Sequence, residues 1–295
     1  MTTRTEAKRL DKFYTKADLA QEFINKTIDV LGLTGEELFL EPSAGCGNFS
    51  KHLKNVHAFD IKPEASGITQ ADFLQLELDR TDYITIGNPP FGSRCSLAVD
   101  FFEKCAKHSK AIAFVVPVTF LKWSVQSLLN KDFALIYSYQ MDENSFTFMG
   151  NDYELRCCFQ IWVRKSDYPE MKDLRIPSRP SISHSDFKIW QHNATVGSRK
   201  YVEEPWEFAT WRQGYKDYNN VFTREDYDYI KAQVYTTNIQ FFYIQPLTDK
   251  AREIIKRMDF NKLARRNMST PGFGKADFVA YYEELSMEEY KVLPW

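Results

Sequence analysis

The stretch Tyr83-Ile84-Thr85-Ile86-Gly87-Asn88-Pro89-Pro90-Phe91-Gly92 decides how the chain is read. Four residues of strand composition run into two prolines, which donate nothing to a sheet ladder and keep the backbone extended. Asn88 is therefore expected at the carboxyl edge of a strand, before a stiff turn that presents its amide and two backbone carbonyls. Phe91 adds a flat ring at a fixed offset. Acceptors for an exocyclic amine, beside a face for the ring that carries it, describe a pocket for a nucleobase or another planar amide. Asn-Pro and Pro-Pro also open ordinary turns, so the tetrapeptide takes its meaning from what surrounds it.

Upstream, Leu19, Phe23, Ile24, Ile28 and Leu31 recur at helical spacing, and Gly32 ends the pattern. Glu37-Leu38-Phe39-Leu40 reads as a short buried strand leading into Glu41-Pro42-Ser43-Ala44-Gly45-Cys46-Gly47-Asn48-Phe49, with a helix expected through Leu53. Asn55-Val56-His57-Ala58-Phe59-Asp60 is a second strand ending in a carboxylate, and Ala71-Asp72-Phe73-Leu74 closes a third segment. Downstream, Leu97, Phe101, Phe102 and Cys105 mark a helix, and residues 111–117 form a strongly apolar strand. A helix to about Leu129 and strands over 133–139 and 156–163 complete the pattern. Such alternation predicts an α/β fold with a mostly parallel sheet covered on both faces, its ligands at the carboxyl ends of the strands.

Composition sets the bounds. An apolar fraction of 43% suffices for a buried core, and 26% charged residues mark a soluble globular chain. No apolar run approaches the ~18–20 residues of a membrane span, and the N-terminus lacks the apolar core of a signal peptide, so a cytoplasmic, intracellular protein is expected. Five cysteines without Cys-x-x-Cys spacing predict reduced core thiols and no metal site. The net charge of −2 argues against strong non-specific nucleic-acid binding but leaves room for a local basic groove. Residues 169–180, rich in proline, suggest a boundary near 166–185, hence a catalytic domain over 1–165, extending to about 185 at most, and a C-terminal region over 166–295. The latter shows no strand–helix rhythm and is unusually aromatic, with one basic helix expected over 249–266.

Gly45-x-Gly47 after a strand lets backbone approach a ligand at a helix start, but it lacks the third glycine of dinucleotide-binding turns. Asp60 is placed to accept from two ribose hydroxyls, or to cap a helix. Asp72 can accept from an adenine amine with Phe73 beside the ring. In this order the segments resemble the S-adenosylmethionine-dependent amino-methyltransferases that methylate exocyclic amines of nucleic-acid bases. Asp11-Lys12-Phe13-Tyr14-Thr15 looks like their N-terminal motif, and residues 41–49 are similar to their Glu-Pro-Ser-Ala-Gly-x-Gly-x-Phe cofactor loop. Asn88-Pro89-Pro90-Phe91 resembles the Asn-Pro-Pro-aromatic motif of the adenine-N6 branch, with phenylalanine where many members carry tyrosine. The motif order resembles the gamma arrangement, in which target recognition comes last. The resemblance covers roughly residues 11–165.

That resemblance implies a Rossmann-like class I methyltransferase sheet with helices on both faces. It implies S-adenosyl-L-methionine as cofactor, held by Lys12, Tyr14, Thr15, Glu41, Pro42, Ser43, Ala44, Gly45, Gly47, Phe49, Asp60, Ile61, Asp72, Phe73 and Asn88. Asn88, Pro89, Pro90 and Phe91 would be catalytic. The Asn88 oxygen and the Pro89 carbonyl would draw the amine toward a tetrahedral shape, and Phe91 would stack on the base, with Phe146 and Phe148 either its opposite wall or core aromatics. The expected substrate is adenine in DNA, flipped out of a duplex, with a cognate restriction subunit or other protein partner in view and no membrane. RNA adenosine-N6 methylation, protein glutamine methylation and a silent nucleic-acid-binding relative are the alternatives.

Overall fold

The computed structural model describes residues 13–291 except 143, 149, 216 and 267–269, with the side chains of 287–291 also outside the described set. Lys12 lies outside the described residues. The chain divides after Pro177 into two compact units, Met1–Pro177 and Ser178–Trp295. Residues 166–177 belong with the first unit. There Arg175 donates to the carbonyls of Leu129, Asn130 and Phe133 at 3.1, 2.9 and 2.7 Å and lies over the Trp162 ring.

Sheet positions in the first unit follow the apolar runs. Its strands are β1 (Tyr14–Thr15), β2 (Phe39–Glu41), β3 (Val56–Asp60), β4 (Thr69–Gln70), β5 (Tyr83–Gly87), β6 (Ser109–Pro117), β7 (Phe133–Gln140), β8 (Phe146–Phe148), β9 (Asn151–Tyr153) and β10 (Cys157–Arg164). Seven of them form one sheet in the order β4-β3-β2-β5-β6-β10-β7. The first five run parallel, and β10 pairs antiparallel with both β6 and β7. β6 and β10 are buried almost throughout, as central strands covered on both faces require. This is the mostly parallel, Rossmann-like sheet the sequence predicts.

Helices α1 (Ala17–Leu31) and α2 (Ser96–Ala106) cover it. Phe23 of α1 stacks on Phe159 of β10 at 4.2 Å, whereas Phe102 of α2 meets Trp162 edge-on at 5.3 Å. Phe159 and Trp162 are three residues apart on one strand and so face opposite sides, which puts helices on both faces. A separate three-stranded sheet, β1-β8-β9, ties the N-terminal segment to a late hairpin.

Several expected helices are absent or shortened. After the loop at 41–49 only a 3₁₀ turn forms, Ser50–His52. Too few residues separate Phe49 from β3 for an α-helix to nucleate. Between β6 and β7 the helix shrinks to a 3₁₀ turn, Val118–Leu121, and α3 (Trp123–Gln126).

The second unit does have regular structure. Strands β11 (Phe187–His192), β12 (Phe208–Trp211), β13 (Phe222–Thr223) and β14 (Phe241–Pro246) form an antiparallel sheet in the order β11-β14-β12-β13. α4 (Tyr227–Thr236), α5 (Asp249–Lys256), α6 (Phe260–Ala264) and α7 (Lys275–Lys291) complete the unit. The single helix expected over 249–266 is two, because Asp259 caps a new start by accepting from the Lys262 amide. Trp206, Trp211, Tyr218, Phe241, Phe242 and Tyr243 are all buried, so much of the aromatic excess is spent on this core. Among the described residues, no helix is long and apolar enough to cross a membrane.

Candidate active site

A cavity of about 270 Å³ opens where β2, β3 and β5 end. Tyr14, Thr15, Glu41, Pro42, Ser43, Ala44, Gly45, Phe49, Asp60, Ile61, Asp72, Phe73, Asn88 and Pro90 of the expected set line it. Gly47, Pro89, Phe91, Phe146 and Phe148 do not. Pro89 is buried, and Phe91 is 4% exposed and belongs to the buried hydrophobic core. Phe146 is fully buried. Phe148 packs against Phe13 at 5.1 Å and Tyr153 at 5.5 Å. Of the two roles weighed for this pair, the described arrangement is that of core aromatics.

The cavity also draws on Leu97 and Phe101, which sequence reasoning left on a helix, and on Phe13, Cys46, Asn48, Ala71 and Leu74, which lie inside the quoted motifs without being singled out as cofactor residues. Leu97 and Phe101 carried a signal, since an i, i+4 pair on α2 shares one face. Phe13 stood in the N-terminal motif, but its backbone carbonyl, which meets Asn88, is a contribution no residue type signals.

Each polar wall residue is fixed by the fold. Gly45 sits at φ +53°, and a Cβ there would lie 2.5 Å from Tyr14 Cε1, so the loop needs glycine to pass under that ring. Asp60, ending β3, accepts from the Gly45 amide at 2.8 Å and the Lys62 amide at 2.7 Å, which locks the loop to the strand end. Asp72 accepts from the Leu74 amide at 3.1 Å, capping a 3₁₀ turn that buries Phe73 against Phe101. Glu41, 1% exposed, accepts from the Ser50 amide at 2.8 Å. Burial pushes its carboxyl up to about 8; the Ser50 hydrogen bonds oppose this and the charge of Asp60 adds to it. Burial, then the neighbouring Glu64 carboxylate, raises the Tyr14 hydroxyl above its ordinary range. Burial likewise raises the Cys46 thiol, which disfavours a nucleophilic role.

Asn88 is the first residue beyond β5. Its carbonyl accepts from Ser43 Oγ at 3.1 Å, and its Nδ2 donates to the Phe13 carbonyl at 2.7 Å. A carbonyl cannot donate, so the amide atom facing it must be the nitrogen. Asn88 Oδ1 is buried with no partner, as is Thr15 Oγ1. Unsatisfied buried oxygens are costly and rare in folded chains, and both of these belong to residues that line the cavity.

Charge narrows the ligand further. Glu41, Asp60 and Asp72 line the cavity, and no lysine or arginine does among the described residues. The glycine loop is followed by only a 3₁₀ turn, so it presents no α-helix N-terminus of its own to the cavity. The site therefore suits a cation with donor groups and disfavours phosphate.

Fold and site together define a Rossmann-like cavity protein with the expected motifs at its strand ends. No protein-family model and no curated protein matches the sequence. Among solved structures, similarity extends to a modification subunit assigned to a type I restriction enzyme from Vibrio vulnificus YJ016. That match has 18% identity and a TM-score of 0.40, over 52% of this chain and 44% of that one. A protein described as an RNA methyltransferase from Pyrococcus horikoshii matches at 16% identity and TM-score 0.43, over 52% and 87% of the two chains. The methyltransferase subunit of a type I restriction-modification system from Streptococcus thermophilus matches at 12% identity and TM-score 0.39, over 87% and 59%. The chain thus spans less than half of the Vibrio subunit it matches.

Proposed function

We propose that this protein transfers a methyl group from S-adenosyl-L-methionine to the N6 amine of adenine in DNA. One observation carries the reading. The Asn88 carboxamide spends its donor end on the Phe13 carbonyl and leaves its acceptor end unpartnered at the wall of an acidic cavity.

The residues present fit the cofactor. Its sulfonium and ammonium suit a wall that carries the Asp60 and Asp72 carboxylates, with Glu41 held largely neutral beside them, and its hydroxyls and adenine amine suit the lone pairs that Asp60 and Asp72 have left after their backbone bonds. When bound, it supplies an electrophilic methyl group. The chain's own residues then orient the acceptor amine. Asn88 Oδ1 and the Pro89 carbonyl each accept an amine hydrogen, which turns the nitrogen lone pair out of conjugation and toward the methyl. A neutral asparagine does this without changing protonation, so catalysis rests on orientation and fixed dipoles. Phe91 is buried and does not line the cavity, so its part in holding the base is not built into this arrangement.

The test is transfer of tritium from labelled S-adenosylmethionine to matched duplex DNA and total RNA, followed by nucleoside digestion. Label in N6-methyl-deoxyadenosine supports the proposal. Label in N6-methyl-adenosine leaves the role of Asn88 intact and reassigns the substrate to RNA, and label in neither refutes it. Asn88→Ala should lower transfer about 100-fold or more while cofactor affinity stays within about threefold. A matching loss of affinity would remove Asn88 from the acceptor role.

A further inference from the structure

We propose that the small sheet of β1, β8 and β9 is a positioning device for Asn88, with Tyr153 as its anchor; this rests on Asn88 being the amine acceptor. An asparagine amide can present either end to a ligand, and only its neighbours decide which. Here the Phe13 carbonyl, 2.7 Å from Nδ2, decides it. The reversed amide would set oxygen against oxygen. Everything the site does with Oδ1 therefore depends on where the Phe13 carbonyl is held.

Phe13 precedes β1, and β1 is only two residues long, too short to hold itself. Its support comes from far along the chain. Tyr14 and Thr15 pair with Thr147 and Phe146 of β8, and β8 pairs with β9, setting Phe146 opposite Tyr153. The Lys16 amide donates to the Ser145 carbonyl at 3.1 Å, and Lys16 Nζ reaches Asp152 at 2.8 Å. Three rings close the arrangement. Phe13 stacks on Tyr153 at 4.9 Å and 29°, leans on Phe148 at 5.1 Å, and those two lie 5.5 Å apart. Asn48 Nδ2 donates to the Thr15 carbonyl at 2.8 Å, joining this sheet to the cofactor loop. The hairpin of β8 and β9 adds nothing to the seven-stranded sheet. Its work is to hold the strand that orients the catalytic amide.

The ring of Tyr153 matters here and its hydroxyl does not, so Tyr153→Phe should behave as wild type. Tyr153→Leu keeps apolar bulk and the fold but removes the stacking face. At saturating cofactor and substrate, it should lower kcat roughly 10- to 100-fold, clearly more than it lowers cofactor affinity, since Phe13, Tyr14 and Thr15 also line the cavity. In protein labelled with ¹⁵N at asparagine, the hydrogen-bonded Nδ2 proton of Asn88 should move upfield in Tyr153→Leu and stay in place in Tyr153→Phe. An unmoved Asn88 signal, or a kcat loss matched by lost cofactor affinity, would overturn the proposal. The amide signal needs no turnover, so the two readings fail separately. A signal that responds to Tyr153→Leu in a protein that methylates nothing supports the positioning of Asn88 and refutes the proposed activity.

Discussion

Glu41 offers a test that needs neither substrate nor cofactor. Its carboxyl is 1% exposed and is pushed from the ordinary carboxylate range up to about 8, chiefly by burial. Raised that far, it sets a ceiling on the order of 5 kcal/mol. The fold keeps the neutral acid, whereas the unfolded chain ionises above pH 4.5. Between these values the native state binds more protons, so the slope of unfolding free energy with pH is negative. The contribution is fully present below about pH 4.5. By pH 7 about 3 kcal/mol of it is gone, and the loss is complete above about pH 8 to 9. Glu41→Gln keeps an acceptor for the Ser50 amide at nearly the same volume but cannot ionise. Urea titrations at intervals from pH 5 to pH 8 should show the variant gaining on wild type by about 1.4 kcal/mol per pH unit. The difference between the two proteins cancels every other titrating group they share. Two parallel curves would mean that Glu41 is solvated or paired in solution, and the burial that raises its carboxyl would fall with it.

Two substitutions test the frame around the site. Gly45→Ala forces a left-handed residue, at about 1–2 kcal/mol, and displaces the Tyr14 ring, which is 2.5 Å from the new carbon. Calorimetry should show lower stability and cofactor affinity reduced about tenfold or more, and an unchanged affinity would take Tyr14 out of the wall. Arg175→Lys should be nearly as damaging as Arg175→Ala, because a single ammonium cannot serve the carbonyls of Leu129, Asn130 and Phe133 together. A loss of about 3 kcal/mol, read as a midpoint some 6–12 °C lower, is expected for both; full stability of the lysine variant would show that charge alone suffices.

The sequence made some of this legible because strand ends punctuate it. Pro89 and Pro90 cannot extend a ladder, so Asn88 had to fall where β5 stops, and Asp60 closes β3 in the same way. The missing helix after Gly47 was a matter of length. The glycine turn suggested a helix, but too little chain separates Phe49 from β3 to form one. In the second unit, β14 reads Phe241-Phe242-Tyr243-Ile244, apolar on both faces, so the alternation that marks a strand is erased by burial. Phe91 shows the limit of a motif. Its position was fixed by the two prolines, but whether its ring faces a ligand or the core depends on what packs beneath, which no spacing reveals.

The choice of asparagine at position 88 follows from its surroundings. Three carboxylates already line the cavity, and one of them, Glu41, is held largely neutral at pH 7 by burial. An aspartate at 88 would add a third negative group, beside Asp60 and Asp72, against the Phe13 carbonyl with no donor to meet it, and it would stand free to rotate or take up a proton. Asparagine is the same size, carries no charge, and has one end for the Phe13 carbonyl and one left over as an acceptor. The fold thus leaves a buried oxygen unsatisfied at some cost in stability. Under the proposed activity that cost is recovered when the amine donates, which would make the acceptor selective for an amine over a ligand that merely fits the space.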